Sequence, residues 1–238
     1  MSPSPLSTRL SPESQQSLYE NRASFLDLRE RYTATESFIA SSAAGSSDMD
    51  STILISDTFG DITKTFIQWQ PGVTESVSYH ISDINISSFL ITASPFEQAD
   101  EEFIEQTIEE LDPLIDLDFV EVDSITGAEI VFVSVDRYLP WGRSNIVGQV
   151  VPLYRADKWF VLVKDTGEDF YLWTTLHEFG HSIGLSHPDE QPYNPAYNTV
   201  QHTVMSYNDY NGQWGTVFTS NDLEALTQIW GPENDAVV

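Results

Sequence analysis

Residues 177–187 read His-Glu-Phe-Gly-His-Ser-Ile-Gly-Leu-Ser-His and hold three of the five histidines in the chain. On a helix, residues four apart share a face, so His177 and His181 can aim both imidazoles at one metal ion. Glu178, one residue on, can reach a water on that ion without being a ligand itself. Gly184 suits the left-handed backbone that ends a helix, and a sharp turn after it brings His187 back as a third ligand. Three histidines and one open position describe a catalytic zinc site, not a structural one. With the residue frequencies of this chain, three His, one Glu and one Gly at fixed places arise by chance roughly once in 100,000 such compositions. Coincidence is therefore a poor account of the motif.

Specific elements must hold this constellation in place. Leu172, Leu176, Phe179 and Ile183 recur at helical spacing and predict a helix that buries that row. Upstream, strands are expected over 76–81, 117–122, 128–135, 147–154 and 159–164. The 128–135 run is almost continuously apolar, as in a strand covered on both faces. Pro152 cannot donate to a ladder, which assigns its strand to a sheet edge. A further helix is expected from Ser94 as N-cap, with Pro95 at its first position and Glu97 completing a capping box. It buries Phe96, Ala99, Phe103, Ile104, Ile108 and Leu111 and stops at Pro113. Leu223, Leu226 and Ile229 mark a terminal helix over 219–231. The expected class is α+β: a twisted mixed sheet with a backing helix, an active-site helix and a C-terminal helix.

Composition narrows the chemistry. The 238 residues include 37 acids, 10 bases and no cysteine, for a net charge of −27. Without cysteine there are no thiolate metal sites, disulfides or thiol nucleophiles, so a metal must be held by His, Asp or Glu. The charge excludes nucleic acid as a partner, since phosphate binding needs clustered Lys and Arg, and it disfavours anionic membrane. No apolar run approaches the roughly 18 residues of a span. Residues 1–32 balance four acids against four bases, so the whole excess falls after them. Twelve acids and no base lie between Glu97 and Asp123, which reads as a solvated helix face followed by a strand edge. Residues 1–50 are expected to be an arm, flexible or pro-segment-like with a short helix, and 51–238 the catalytic domain. His80 and His202, outside the motif, are expected to be surface or hydrogen-bonded histidines.

The HExxHxxGxxH pattern followed by Thr203-Val204-Met205-Ser206-Tyr207, with its Met eighteen residues after His187, resembles the metzincin zinc peptidases. Pro188 and the Met-Ser-Tyr turn look most like the serralysin branch, bacterial secreted endopeptidases that are also free of cysteine in their catalytic domain. The resemblance implies that His177, His181 and His187 bind Zn2+ and that Glu178 is the general base. It implies that Met205 forms the floor beneath the metal and that Tyr207 stabilises the transition state. The implied reaction is hydrolysis of peptide bonds by a metal-activated water, outside the cell, by a monomer acting on protein or peptide substrates. The substrate is expected to extend along the 147–154 edge.

Some features depart from that family. No GGxGxD calcium-binding repeat follows the motif, so calcium dependence is not implied, and a cysteine switch is impossible. The 1–50 segment matches no pattern of the family. Phe59-Gly60-Asp61 is similar to the aspartate plug of astacins, but at the wrong spacing. Residues 1–17 lack the apolar core of an N-terminal secretory signal, and Asp235-Ala236-Val237-Val238 resembles the terminal signal of type I export. Two other functions stay open: a zinc-containing binding protein of the same fold without turnover, and a zinc amidase acting on a non-protein amide.

Overall fold

At the centre of the sheet lies β5 (Ile130–Tyr138), a run of β-branched and aromatic residues with apolar side chains on both faces. The computed structural model describes residues 49–142, 145–166, 168–188 and 198–234. Ile130 and Phe132 face the larger core, while Val131, Val133 and Val135 face a smaller one with Trp141 and Leu162. Two-sided burial is what its apolar run Ile130–Val133 demands.

Four strands run parallel through this centre. β5 pairs in parallel with β1 (Ser76–Ile81) and β7 (Lys158–Val163), and β1 pairs in parallel with β4 (Asp118–Glu121). The later part of β5 pairs antiparallel with β3 (Ile91–Ser94), which pairs with the short β2 (Ile86–Ser87). On the far side, β6 (Gly148–Leu153) runs antiparallel to β7 and has no further strand partner among the described residues. Pro152 thus sits on an edge strand, as its missing N–H requires.

Among the described residues, four α-helices complete the α+β architecture: α1 (Asp57–Phe66), α2 (Gln98–Leu111), α3 (Glu168–Ser182) and α4 (Ser220–Trp230). Apolar residues of all four join the larger core. α3 carries the expected Leu172, Leu176, Phe179 and Ile183 row, but Thr174, Thr175, His177, His181 and Ser182 are buried as well. It is a central helix, enclosed on more than its one apolar stripe. No helix among the described residues is long and apolar enough to cross a membrane.

Three elements differ from expectation. Ser94 does not cap α2: it is the last residue of β3, in register with Ser134, so its backbone is committed to the ladder and Glu97 becomes the N-cap. β2 and β3 went unforeseen, as did α1, whose N-cap is Ser56, accepting from the Thr58 N–H at 3.2 Å. The short helix expected in the N-terminal arm and the tail 235–238 lie outside the described residues.

α2 carries the acidic run. Burial, and then the neighbouring carboxylates Glu97 and Asp165, push Asp100 up to about 7. A carboxyl whose pKa is higher folded than unfolded favours the fold when protonated. That contribution is complete below about pH 4 and is lost as pH rises through about 7. Asp100→Asn should therefore stabilise the protein at pH 8 by about 1 kcal/mol, after allowance for partial solvent exposure, and change nothing at pH 3.5. Thermal melts at the two pH values check this.

Candidate metal centre

α3 delivers the first two histidines and its own termination delivers the third. Gly184 adopts φ +114, its N–H donates to the His181 carbonyl at 3.1 Å and the Leu185 N–H donates to the Gly180 carbonyl at 2.9 Å. Paired bonds of this kind form a Schellman end, which reverses the chain. His187 then returns to place its Nε2 3.0 Å from Nε2 of His177 and 3.0 Å from Nε2 of His181. The three donor atoms lie within 4.8 Å of one another.

Hydrogen bonds fix which nitrogen faces inward. His177 Nδ1 lies 2.9 Å from the Val204 carbonyl and His181 Nδ1 lies 2.8 Å from the Leu185 carbonyl. A carbonyl only accepts, so both Nδ1 atoms carry the proton and both Nε2 atoms present lone pairs to the same point. Burial holds all three imidazoles neutral: His177 well below the usual range, His181 down at about 3 and His187 at about 4. Neutral imidazole is the ligating form. A tetrahedral zinc with nitrogen ligands at about 2.0–2.1 Å places them about 3.3 Å apart, close to the two 3.0 Å separations from His187. The donor set therefore fits a divalent metal.

Glu178 sits beside this cluster, buried against the edge strand. Its Oε2 accepts the Val150 N–H of β6 at 2.8 Å, and burial raises its pKa to about 8 against the pull of that bond. A cation at the histidines would draw it back down. β6 comes this close because residue 148 is glycine. A Cβ there would lie 2.5 Å from the Thr174 methyl and 2.8 Å from Oε1 of Glu178.

Met205 is fully buried, and a Cβ on Gly180 would meet its sulfur at 2.8 Å, so the turn packs directly beneath α3. The Tyr207 ring lies 4.5 Å from that of His187 and 5.3 Å from that of His177. Every candidate site residue thus gathers in one place. Asp61, by contrast, is exposed on α1, so the astacin-like plug is not formed. His80 and His202 are structural: His80 bonds the Val122 carbonyl through Nδ1 at 2.9 Å, and the Thr199 N–H donates to His202 Nδ1 at 3.3 Å.

The sequence did not disclose what supports the histidines. The Val204 carbonyl that orients His177 also accepts the Trp173 indole N–H at 2.8 Å. The Val204 N–H in turn donates to Asp222 at 3.1 Å. Asp222 is fully buried at the start of α4, where it also accepts the Thr203 hydroxyl at 2.5 Å and the Thr219 N–H and hydroxyl, each at 2.8 Å. The Thr-x-x-Asp spacing at 219–222 was the available signal. It marks a capping box but does not show that the carboxylate also grips the Met205 turn.

No family model matches the chain. It is 34% identical to Serralysin C of Dickeya chrysanthemi over 27% of this chain and 17% of that protein. It is 24% identical to Serralysin of Photorhabdus laumondii subsp. laumondii over 71% of this chain and 38% of that protein. The chain thus spans less than two fifths of the length of the curated relatives it matches. Among solved structures, two of myroilysin align with TM-scores of 0.41 and 0.39, at 14% and 13% identity. These alignments cover 70% and 77% of this chain and 96% and 97% of theirs.

Proposed function

We propose that this chain is a zinc-dependent endopeptidase of serralysin-like metzincin type. The observation that carries the reading is the meeting of three neutral imidazole Nε2 atoms beside a buried carboxylate that accepts the Val150 N–H of the edge strand β6. His177, His181 and His187 would hold the metal. Zinc there would supply Lewis-acid activation of water and of the scissile carbonyl.

Glu178 takes the proton from the attacking water and passes it to the leaving amine. Its Oε2 is anchored by Val150, which fixes the carboxylate orientation throughout. The Tyr207 hydroxyl stabilises the developing oxyanion, and Met205 keeps the floor of the site rigid. In an antiparallel ladder alternate residues turn their backbone groups outward. Val150 faces outward in β6, so Gly148 and Pro152 do too. With the Val150 N–H held by Glu178 and no N–H on Pro152, an extended peptide can pair with the outward carbonyls of this edge and the Gly148 N–H, and the net charge of −27 favours substrates rich in Lys and Arg. Action outside the cell follows from the serralysin resemblance.

Hydrolysis of casein by the purified chain tests the reading: fragments support the peptidase, whereas intact casein with zinc bound supports a binding protein of the same fold.

A further inference from the structure

α1 and the residues just before it lie against the turn that returns His187, and neither the helix nor this contact was legible in the sequence. The Ser186 N–H donates to the Leu54 carbonyl at 2.7 Å, and Ile55 forms an antiparallel bridge with Leu185. Leu185 is the residue whose carbonyl orients His181. The Thr63 hydroxyl donates to the Ser182 carbonyl at 2.7 Å and accepts the Trp159 indole N–H at 2.9 Å. A Cβ on Gly184 would lie 3.3 Å from Cα of Gly60, so the two backbones touch. Phe59 stacks on the His181 imidazole, with centroids 4.6 Å apart and planes inclined by 29°.

These contacts hold both ends of the 182–186 turn and one face of a ligand ring. We infer that residues 54–63 are a positioning element for the metal centre and that Phe59 is the positioning residue for His181. The Leu185 carbonyl fixes the Nδ1 end of the imidazole, and the Phe59 ring restricts its remaining rotation, so Nε2 stays aimed at the point where three donors meet. Bridging Leu185 to Ile55 keeps the orienting carbonyl itself in place. Phe59 offers no ligating atom; it acts through His181. The effect belongs with outer partners of metal-bound histidines, whose loss costs about 10–100-fold in metal affinity.

The inference rests on the proposed metal-binding role of the three histidines, and the test separates the two. In the full chain, Phe59→Leu keeps an apolar side chain but removes the ring, whereas Phe59→Tyr keeps the ring. Phe103→Leu, on α2, removes an equally large, partly buried ring from the same core away from the histidines. Zinc affinity is measured by chelator competition, ligand geometry by the visible spectrum of the cobalt-substituted protein, and stability by melting the metal-free form. The expected result is an affinity about 10-fold weaker and an altered cobalt spectrum for Phe59→Leu. Phe59→Tyr retains affinity, and Phe103→Leu lowers the metal-free melting temperature with affinity unchanged. Equal affinity and spectrum for Phe59→Leu and wild type would overturn the positioning role alone. So would a loss of affinity in Phe103→Leu as large as in Phe59→Leu. A wild-type chain that takes up neither zinc nor cobalt would overturn the metal-site reading and this inference with it.

Discussion

Glu178→Gln should lower casein hydrolysis by about 10²–10⁴-fold, the range associated with a positioned general base, while leaving zinc content unchanged. The asymmetry follows from the geometry. All three donor atoms of the cluster come from histidines, so a change at Glu178 removes no ligand. Glutamine keeps an oxygen that can accept the Val150 N–H, so the packing against β6 survives. What is lost is a group able to take a proton. Peptide turnover and zinc per chain, measured on the same preparation, decide the matter. Undiminished turnover would remove Glu178 from the reaction, and loss of zinc along with activity would make it part of the metal site.

Asp222→Ala should produce the largest loss of stability. The substitution leaves the Val204 and Thr219 N–H groups without their acceptor in a fully buried position and frees two hydroxyls. Orphaned buried donors cost about 1–3 kcal/mol each, so a loss of about 3 kcal/mol or more is expected, or a fall in Tm on the order of 10 °C. The turn that holds Met205 and the carbonyl that orients His177 depend on the same carboxylate. Zinc affinity should therefore fall about 10-fold in the fraction that folds. Melting in chelator, followed by zinc titration, separates the two effects; a variant as stable as wild type would show that the turn is held by other contacts.

The histidine motif was legible because helix periodicity converts a spacing in sequence directly into a shared face. β5 was legible too, because its nearly continuous β-branched and apolar run suits a strand buried on both faces, as was Pro152 on the edge. α1 was not legible: Asp57–Phe66 contains Gly60 and three threonines, all weak helix formers. Its stability comes from Phe59, Thr63 and Phe66 meeting α3 and Trp159. β2 and β3 are too short to show a period. Ser94 misled because its capping chemistry was outweighed by a ladder bond to β5, a tertiary fact. Gly148, Phe59 and Asp222 act on residues 18 or more positions away, and local pattern carries no trace of such pairings.

The proposed function stands on one zinc ion, held by the three histidines, on which peptide hydrolysis depends. Zinc per chain and casein hydrolysis, followed together through chelation and reconstitution of the purified protein, test it most directly. The account predicts one zinc per chain, loss of hydrolysis in step with loss of zinc, and recovery of both when zinc is returned. Hydrolysis that persists in the zinc-free chain would contradict it.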